Sequence, residues 1–178
     1  MKLKNQYTIY YSSGIDHRKN MTKEDFEMHL NPLYKFDTAE DFWEIFLCMK
    51  LPLQLHLKSK IFLFKGDILP TWEHEGNRGG GRIYIKIPLN KETDEIWQNV
   101  ALEFLTGFGN KGYLDKAVNG IELSIRQVDM ICIAVWVNMR DFRLAREIFF
   151  HLKRNCPLPK FIEFDFAEHP MKYFNKTG

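Results

Sequence analysis

The segment Pro70-Thr-Trp-Glu-His-Glu-Gly-Asn-Arg-Gly-Gly-Gly-Arg82 places a tryptophan beside a carboxylate, outside any hydrophobic period. A loop Trp72 has no core stripe to join, so its face is available to stack on a flat ring. The adjacent Glu73 carboxylate is the acceptor that the two N–H groups of a guanine Watson–Crick edge require. Arg82 and Arg126 fall on the polar side of two alternating segments, where guanidinium groups can receive phosphates. The chemistry these residues share is recognition of an aromatic, phosphorylated ligand. The plainer readings are a glycine-rich turn feeding a strand, and solvated strand arginines.

Competing chemistries find little support. Four of the eleven glycines lie between 76 and 81, but G-x-x-x-x-G-K-[ST] is absent and a strand follows the run, so it is not a phosphate loop of that type. The six histidines (His17, His29, His56, His74, His151, His169) form no H-x-x-x-H or H-E-x-x-H spacing. His74 stands between Glu73 and Glu75 with no nucleophile nearby, which reads as a solvated loop. No G-x-S-x-G or catalytic cysteine signature occurs. Cys48, Cys132 and Cys156 are far apart and include no C-x-x-C pair, so reduced thiols, mostly buried, are expected rather than zinc ligands or disulfides. The expectation is a binding protein without catalytic residues, metal or cofactor.

The elements that must position these residues follow from periodicity. Tyr7–Tyr11 alternates as a strand, and the polar stretch 12–25 reads as a loop. Thr38-Ala-Glu-Asp41 resembles a capping box and opens a helix. Phe42, Phe46 and Met49 form its inner stripe, Trp43 and Leu47 lie beside that stripe, and Pro52 marks its stop. Residues 61–64 make a short apolar strand. Residues 83–87 alternate, with three Ile on one face and Arg82, Tyr84 and Lys86 on the other. A second helix is expected from Lys91 to Leu105, with Gly107 as its stop. Strands follow at 121–126 and 130–137. A third helix begins near Asn138, with Asn as cap, and ends before Pro157 and Pro159. Lys160–Phe166 alternates, and the last eight residues read as loose.

Strands that alternate have one buried and one open face. The expected fold is therefore α+β, a largely antiparallel sheet with three helices on one side and the other free for solvent or ligand. The length of 178 residues fits one compact domain, expected to span 1–178 with loose ends at about 1–5 and 171–178. Net charge is only +2, which argues against a polybasic, non-specific nucleic-acid binder. Aromatic residues make up 15% of the chain (15 Phe, 7 Tyr, 4 Trp), enough that some rings are expected to face a ligand rather than fill the core. No run approaches the roughly 18 apolar residues of a membrane span. The stretch MKLKNQYTIYYSSG is too polar for a signal peptide, so a cytosolic, or cytosolic and nuclear, protein is expected.

Ordered motifs carry a family resemblance. Lys35-Phe-Asp-Thr-Ala-Glu-Asp-Phe-Trp43, Leu63-Phe-Lys65, Pro70-Thr-Trp-Glu73, Gly79-Gly-Gly-Arg82, Val118-Asn-Gly120, Ser124-Ile-Arg126 and Ile133-Ala-Val-Trp136 resemble the eukaryotic translation initiation factor 4E family, over roughly Tyr7 to Lys160. That family binds the 7-methylguanosine cap of mRNA. The resemblance implies a curved antiparallel sheet of about eight strands with three long helices on its convex face. It implies that the methylated base is sandwiched between Trp72 and a first ring at Phe26, nine residues before Lys35. Glu73 then takes the guanine edge, Trp136 touches the N7 methyl, and Arg126 and Arg82 serve the phosphates. N7 methylation makes guanine cationic; a desolvated cation–π contact is worth about 2 kcal/mol, and stacking about 1–3 kcal/mol per ring.

On the helical side the resemblance implies that Trp43, with Ala39, Glu40, Leu102 and Gly107 nearby, receives a Tyr-x-x-x-x-Leu-Φ motif (Φ hydrophobic) from an initiation factor 4G-like scaffold or from 4E-binding proteins. A monomer is expected. The chain departs from the family pattern at several points. Phe26 stands where the family usually has Trp, and Phe is the weaker cation–π ring, so weaker cap binding is expected. Asp129-Met-Ile-Cys132 lacks the family's second phosphate-binding Lys, for which Lys172 in the tail is a candidate substitute. Tyr7, Tyr10 and Ile83 stand where Trp is frequent. Two further readings stay open: a cap-binding translational repressor of the same family, and a protein-interaction module that has lost cap binding.

Overall fold

The computed structural model describes residues 1–13 and 22–170. Residues 14–21 of the expected loop, and the tail with Lys172, lie outside them. The elements run β1 (Lys2–Ser12), α1 (Lys23–Met28), β2 (Asn31–Thr38), α2 (Ala39–Cys48), β3 (Lys60–Lys65), β4 (Gly81–Pro88), α3 (Thr93–Leu105), α4 (Gly107–Asn110), α5 (Gly112–Ala117), β5 (Val118–Gln127), β6 (Met130–Val137), α6 (Phe142–Asn155) and β7 (Phe164–Glu168). The strands form one antiparallel sheet in the order β2-β1-β3-β5-β6-β4-β7. This is the expected α+β architecture, with seven strands among the described residues and open edges at β2 and β7.

The period-2 pattern divides the sheet into two faces. Ile61 and Leu63 of β3, Ile83, Ile85 and Ile87 of β4, Ile121, Leu123 and Ile125 of β5, and Ile131, Ile133 and Val135 of β6 all join one core cluster. The inner stripes of the three longest helices cover them: Phe42 and Phe46 of α2, Ile96, Val100 and Phe104 of α3, Ile148 and Leu152 of α6. These three helices therefore occupy one face, leaving the alternate strand positions for the other. Asp115 of α5 ties the helical layer to the sheet. It is buried and meets Lys65 of β3 at 2.6 Å and Lys4 of β1 at 2.5 Å.

Local signals explain most boundaries. Thr38 caps α2, its hydroxyl accepting from the Asp41 N–H at 3.1 Å. The third long helix starts later than Asn138. Asp141 is its cap, accepting from the Arg143 and Leu144 N–H groups at 2.8 and 3.2 Å, while the Asn138 amide donates to the Lys116 carbonyl instead. The last strand starts at Phe164 rather than Lys160, with Ile162 buried just before it. Four elements go beyond the expectations: α1, β2 and the short helices α4 and α5. Helix α1 is capped by Thr22, whose hydroxyl accepts from the Asp25 N–H as that of Thr38 does from Asp41, and β2 is an edge strand. Of the cysteines, Cys132 and Cys156 are buried and Cys48 is exposed; burial pushes the Cys156 thiol up to about 12.

Candidate functional site

Strand register lines up three rows on the face opposite the helices. In the first row Phe64 pairs with Gly120, Gly120 with Trp136, and Trp136 with Arg82. The second runs Tyr10, Phe62, Glu122, Ala134, Tyr84, and the third runs Ser12, Lys60, Ser124, Cys132, Lys86. Gly120 is where the first row needs no side chain: a Cβ there would lie 2.4 Å from the Phe64 ring. The Trp136 and Phe64 rings meet edge-on across it, centroids 5.4 Å apart.

Tyr10, Leu30, Phe62, Phe64 and Trp136 form a second apolar cluster on this face, and Phe26, Ile68, Leu69 and Trp72 pack against it half-buried. The structure thus brings the three expected cap-contacting rings, Phe26, Trp72 and Trp136, to one place. Phe26 lies in the middle of α1 and stands edge-on to Phe62 at 6.4 Å. Trp136 is deeper, only 2% exposed. Arg82 lies over its ring at 4.7 Å and the His169 ring lies against it at 5.0 Å.

The loop carrying Trp72 and Glu73 is built on asparagines that sequence reasoning passed over. Asn77 is fully buried. Its amide donates to the Leu69 and Thr71 carbonyls, both at 2.8 Å. Its carbonyl oxygen accepts from Asn119 at 2.9 Å, and Asn119 also donates to the Gly76 carbonyl at 2.6 Å. Asn119 belongs to the Val118-Asn-Gly120 motif of β5, so the strand holds the loop by side-chain hydrogen bonds. Glu73 is half-buried, and its backbone carbonyl accepts from Arg78 at 3.3 Å.

A second unforeseen residue is Glu122, fully buried among the cations of this face. One carboxylate oxygen accepts from the Trp136 indole N–H at 3.0 Å and lies 3.8 Å from Arg82, while the other meets Lys60 at 3.1 Å. Burial acts to raise its pKa, but Lys60, Arg82 and the indole bond outweigh it and hold the carboxyl at about 2. Glu122 therefore stays ionised and fixes the orientation of Trp136. His169 behaves oppositely: burial, together with Arg82 and Arg140, lowers it to about 4, so it is neutral near pH 7. Arg82 and Arg126 both lie over the Tyr84 ring, at 5.2 and 5.3 Å. Arg126 is exposed and its Nε donates to the Ser124 hydroxyl at 3.3 Å. The result is an aromatic floor with a carboxylate on its loop and two guanidiniums along one side. It suits a flat ring carrying an anionic tail. Among the described residues no cluster of three or more His, Cys, Asp and Glu side chains could hold a metal ion.

The residues expected to meet a protein partner lie on the helical side. Trp43 is half-buried against Phe42 and Phe46, at 5.3 and 6.0 Å. Ala39 and Glu40 form the first turn of α2, and Leu102 of α3 is half-buried against the same core. Gly107 is buried where α3 ends. It sits at φ +65°, and a Cβ there would lie 3.2 Å from the Asp115 carboxyl carbon, so it serves the chain reversal.

A family model described as eukaryotic initiation factor 4E matches residues 2–177. Eukaryotic translation initiation factor 4E1 of Drosophila melanogaster is 34% identical over 102 residues, 56% of this chain and 37% of the fly protein. Eukaryotic translation initiation factor 4E of Saccharomyces cerevisiae is 29% identical over 141 residues, 78% of this chain and 62% of the yeast protein. The chain thus spans less than two thirds of either relative. Among solved structures, C. elegans eIF4E-3 in complex with the 4E-binding protein Mextli and a cap analog superposes with a TM-score of 0.81 at 22% identity, covering 94% of this chain and 92% of that one. At that identity the likeness establishes the fold.

Proposed function

Because the chain belongs to the eukaryotic initiation factor 4E family, we propose that it binds the 7-methylguanosine cap of mRNA on the open face of its sheet and recruits a translation scaffold through its helical face. It is a binding protein rather than an enzyme. The observation that carries this reading is the aromatic cluster that gathers Phe26, Trp72 and Trp136, with Arg82 over Trp136 and both Arg82 and Arg126 at the Tyr84 ring of the same sheet face. Phe26 and Trp72, half-buried at the margin of the cluster, take the two faces of the methylated base. Glu73 pairs with the guanine edge, and Trp136, held by Glu122, meets the methyl group. Arg82 and Arg126 take the phosphates. Ring stacking at about 1–3 kcal/mol per ring, joined by cation–π attraction, favours the cationic base over plain guanine.

Titration by tryptophan fluorescence tests this. The parent should prefer 7-methyl-GTP to GTP, and Trp72→Ala should weaken 7-methyl-GTP binding by about tenfold or more, the equivalent of one lost stack. Equal affinity of the parent for the two nucleotides sinks the cap reading. Unchanged affinity in Trp72→Ala removes the sandwich.

The scaffold part of the proposal rests on α2. Trp43 and Leu47 are one helical turn apart, Trp43 is half-buried, and Leu47 is 79% exposed. That apolar strip fits the leucine and Φ side of a Tyr-x-x-x-x-Leu-Φ helix. Such a peptide should be retained by the parent and lost by Trp43→Ala, and equal retention removes Trp43 from the site. The reading places the chain in the cytoplasm, where capped mRNA is translated.

A further inference from the structure

Helix α6 buries Ala145, Ile148, Phe149 and Leu152 against the core. Its outer side is not a plain solvated face. Phe142 is 60% exposed and Phe150 39% exposed, with Arg146 between them at one-turn spacing. Arg143, Glu147 and Arg154 complete the lining of a shallow hollow of about 480 Å³. Both rings are fixed from below: Phe142 stacks on Phe164 at 5.7 Å, and Phe150 meets Phe149 at 5.5 Å. Ordering them against a partner therefore costs little further side-chain entropy.

The charges of this face are unbalanced. Among the described residues none of the guanidiniums of Arg143, Arg146 and Arg154 makes an ion pair. Arg146 lies over the Phe150 ring at 5.5 Å. Of the two carboxylates in this helix and its cap, Asp141 is engaged in capping and Glu147 accepts from the Tyr113 hydroxyl. Exposed aromatic rings among arginines are the composition of interface centres, not of ordinary surface. The face is also remote from both sites described above. Helix α6 packs on α3 and β7 at one end of the sheet, whereas α2 with Trp43 packs on β2 at the other, and the cap-binding cluster lies on the opposite side.

We propose that this face of α6 docks an acidic peptide segment of a partner protein. A large apolar side chain of that segment enters the hollow between Phe142 and Phe150, and its carboxylates pair with Arg143, Arg146 and Arg154. One feature favours peptide over single-stranded RNA. Stacking on bases needs open ring faces, yet one face of Phe142 is stacked on Phe164 and Phe150 is capped by Arg146.

The test uses fluorescein-labelled poly(Glu,Tyr) and poly(U), titrated into the full chain by anisotropy with 7-methyl-GTP saturating. Poly(Glu,Tyr) should bind in a salt-dependent manner. Arg146→Glu/Arg154→Glu should weaken it by tenfold or more, and the milder Phe150→Ala should weaken it severalfold. Affinity for 7-methyl-GTP should stay at the parent value in both variants, which separates failure here from failure of cap binding. The proposal is overturned if poly(Glu,Tyr) does not bind, if both variants bind it as the parent does, or if poly(U) binds as tightly and loses affinity in the same variants.

Discussion

Glu122→Gln isolates what the buried carboxylate contributes. Glutamine keeps the size of the side chain and an oxygen that can accept the Trp136 indole N–H, but it removes the charge that faces Lys60 and Arg82. The carboxyl sits at about 2 in the folded protein against an ordinary 4.5, so the ionised form is favoured on folding. A difference of that size corresponds to about 3 kcal/mol of stability at neutral pH. Breaking a buried ion pair by removing one partner costs about 3–5 kcal/mol. The lower end applies here, because Lys60 and Arg82 keep 16% and 24% of their side-chain surface in water and can be partly rehydrated. A carboxyl depressed on folding stabilises above its unfolded value, and that stability is lost as pH falls from about 4.5 towards 2. Urea denaturation of parent and variant, followed by tryptophan emission, should therefore show a gap of about 3 kcal/mol at pH 7 that narrows to about half that at pH 3. A gap below about 1 kcal/mol at pH 7, or one unchanged between pH 7 and pH 3, refutes the assignment of Glu122 as counter-ion to the two cations.

Other substitutions probe neighbouring groups. His169 is depressed to about 4 from 6.5, so the unfolded chain binds its proton first and stability declines as pH falls through that window; His169→Phe should remove about 2 kcal/mol of the loss between pH 7 and pH 5, and a parental slope would show that the histidine is not the cause. Asn77→Ala strands the Leu69 and Thr71 carbonyls and the Asn119 amide, which should lower stability by about 3 kcal/mol in urea denaturation and weaken 7-methyl-GTP binding with it; parental affinity in this variant would mean that the clasp does not shape the Trp72 loop. Phe26→Trp should tighten 7-methyl-GTP binding by about fivefold with little effect on GTP, since indole is the stronger cation–π face, and no gain places Phe26 outside the stack.

How much could be read before the fold was known depends on how far each signal reaches along the chain. Alternation at 83–87 and the Thr38 cap are local, and both mark their elements correctly. Helix α1 carried the same kind of signal in Thr22-Lys-Glu-Asp25, but six residues are too few to show an apolar stripe. Strand β2 showed none: as an edge strand its residues from Asn31 to Lys35 are all exposed, so no alternation survives. At the start of α6, Asn138 reads as the cap with Asp141 three residues on, and sequence position alone does not show that it is Asp141 whose carboxylate faces the free N–H groups.

The site shows the same division. Trp72, Glu73 and the arginines stood out because their types were unusual for their places. Glu122 alternates outward between Ile121 and Leu123 and looks like a solvated charge. Its burial comes from Trp136, Phe62, Lys60 and Arg82, which register brings from three other strands. The Asn77–Asn119 bond likewise joins positions 42 residues apart, beyond any periodic reading.

The open edges of the sheet also govern how copies of the chain meet one another. An unpaired strand is a template on which a second copy can extend the sheet. At one edge Pro32 interrupts the row of β2 with a residue that lacks an N–H, and Lys35 is engaged with Asp67 at 2.5 Å. At the other, β7 is only five residues long and exposes Asp165 and Glu168. Stacking β7 on β7 brings the carboxylates of Asp165 and Glu168 together, and among the described residues its five-residue edge offers few free donors. The same strands that leave one face clear for a ligand are thus ended in a way that resists fibril-like growth at high concentration.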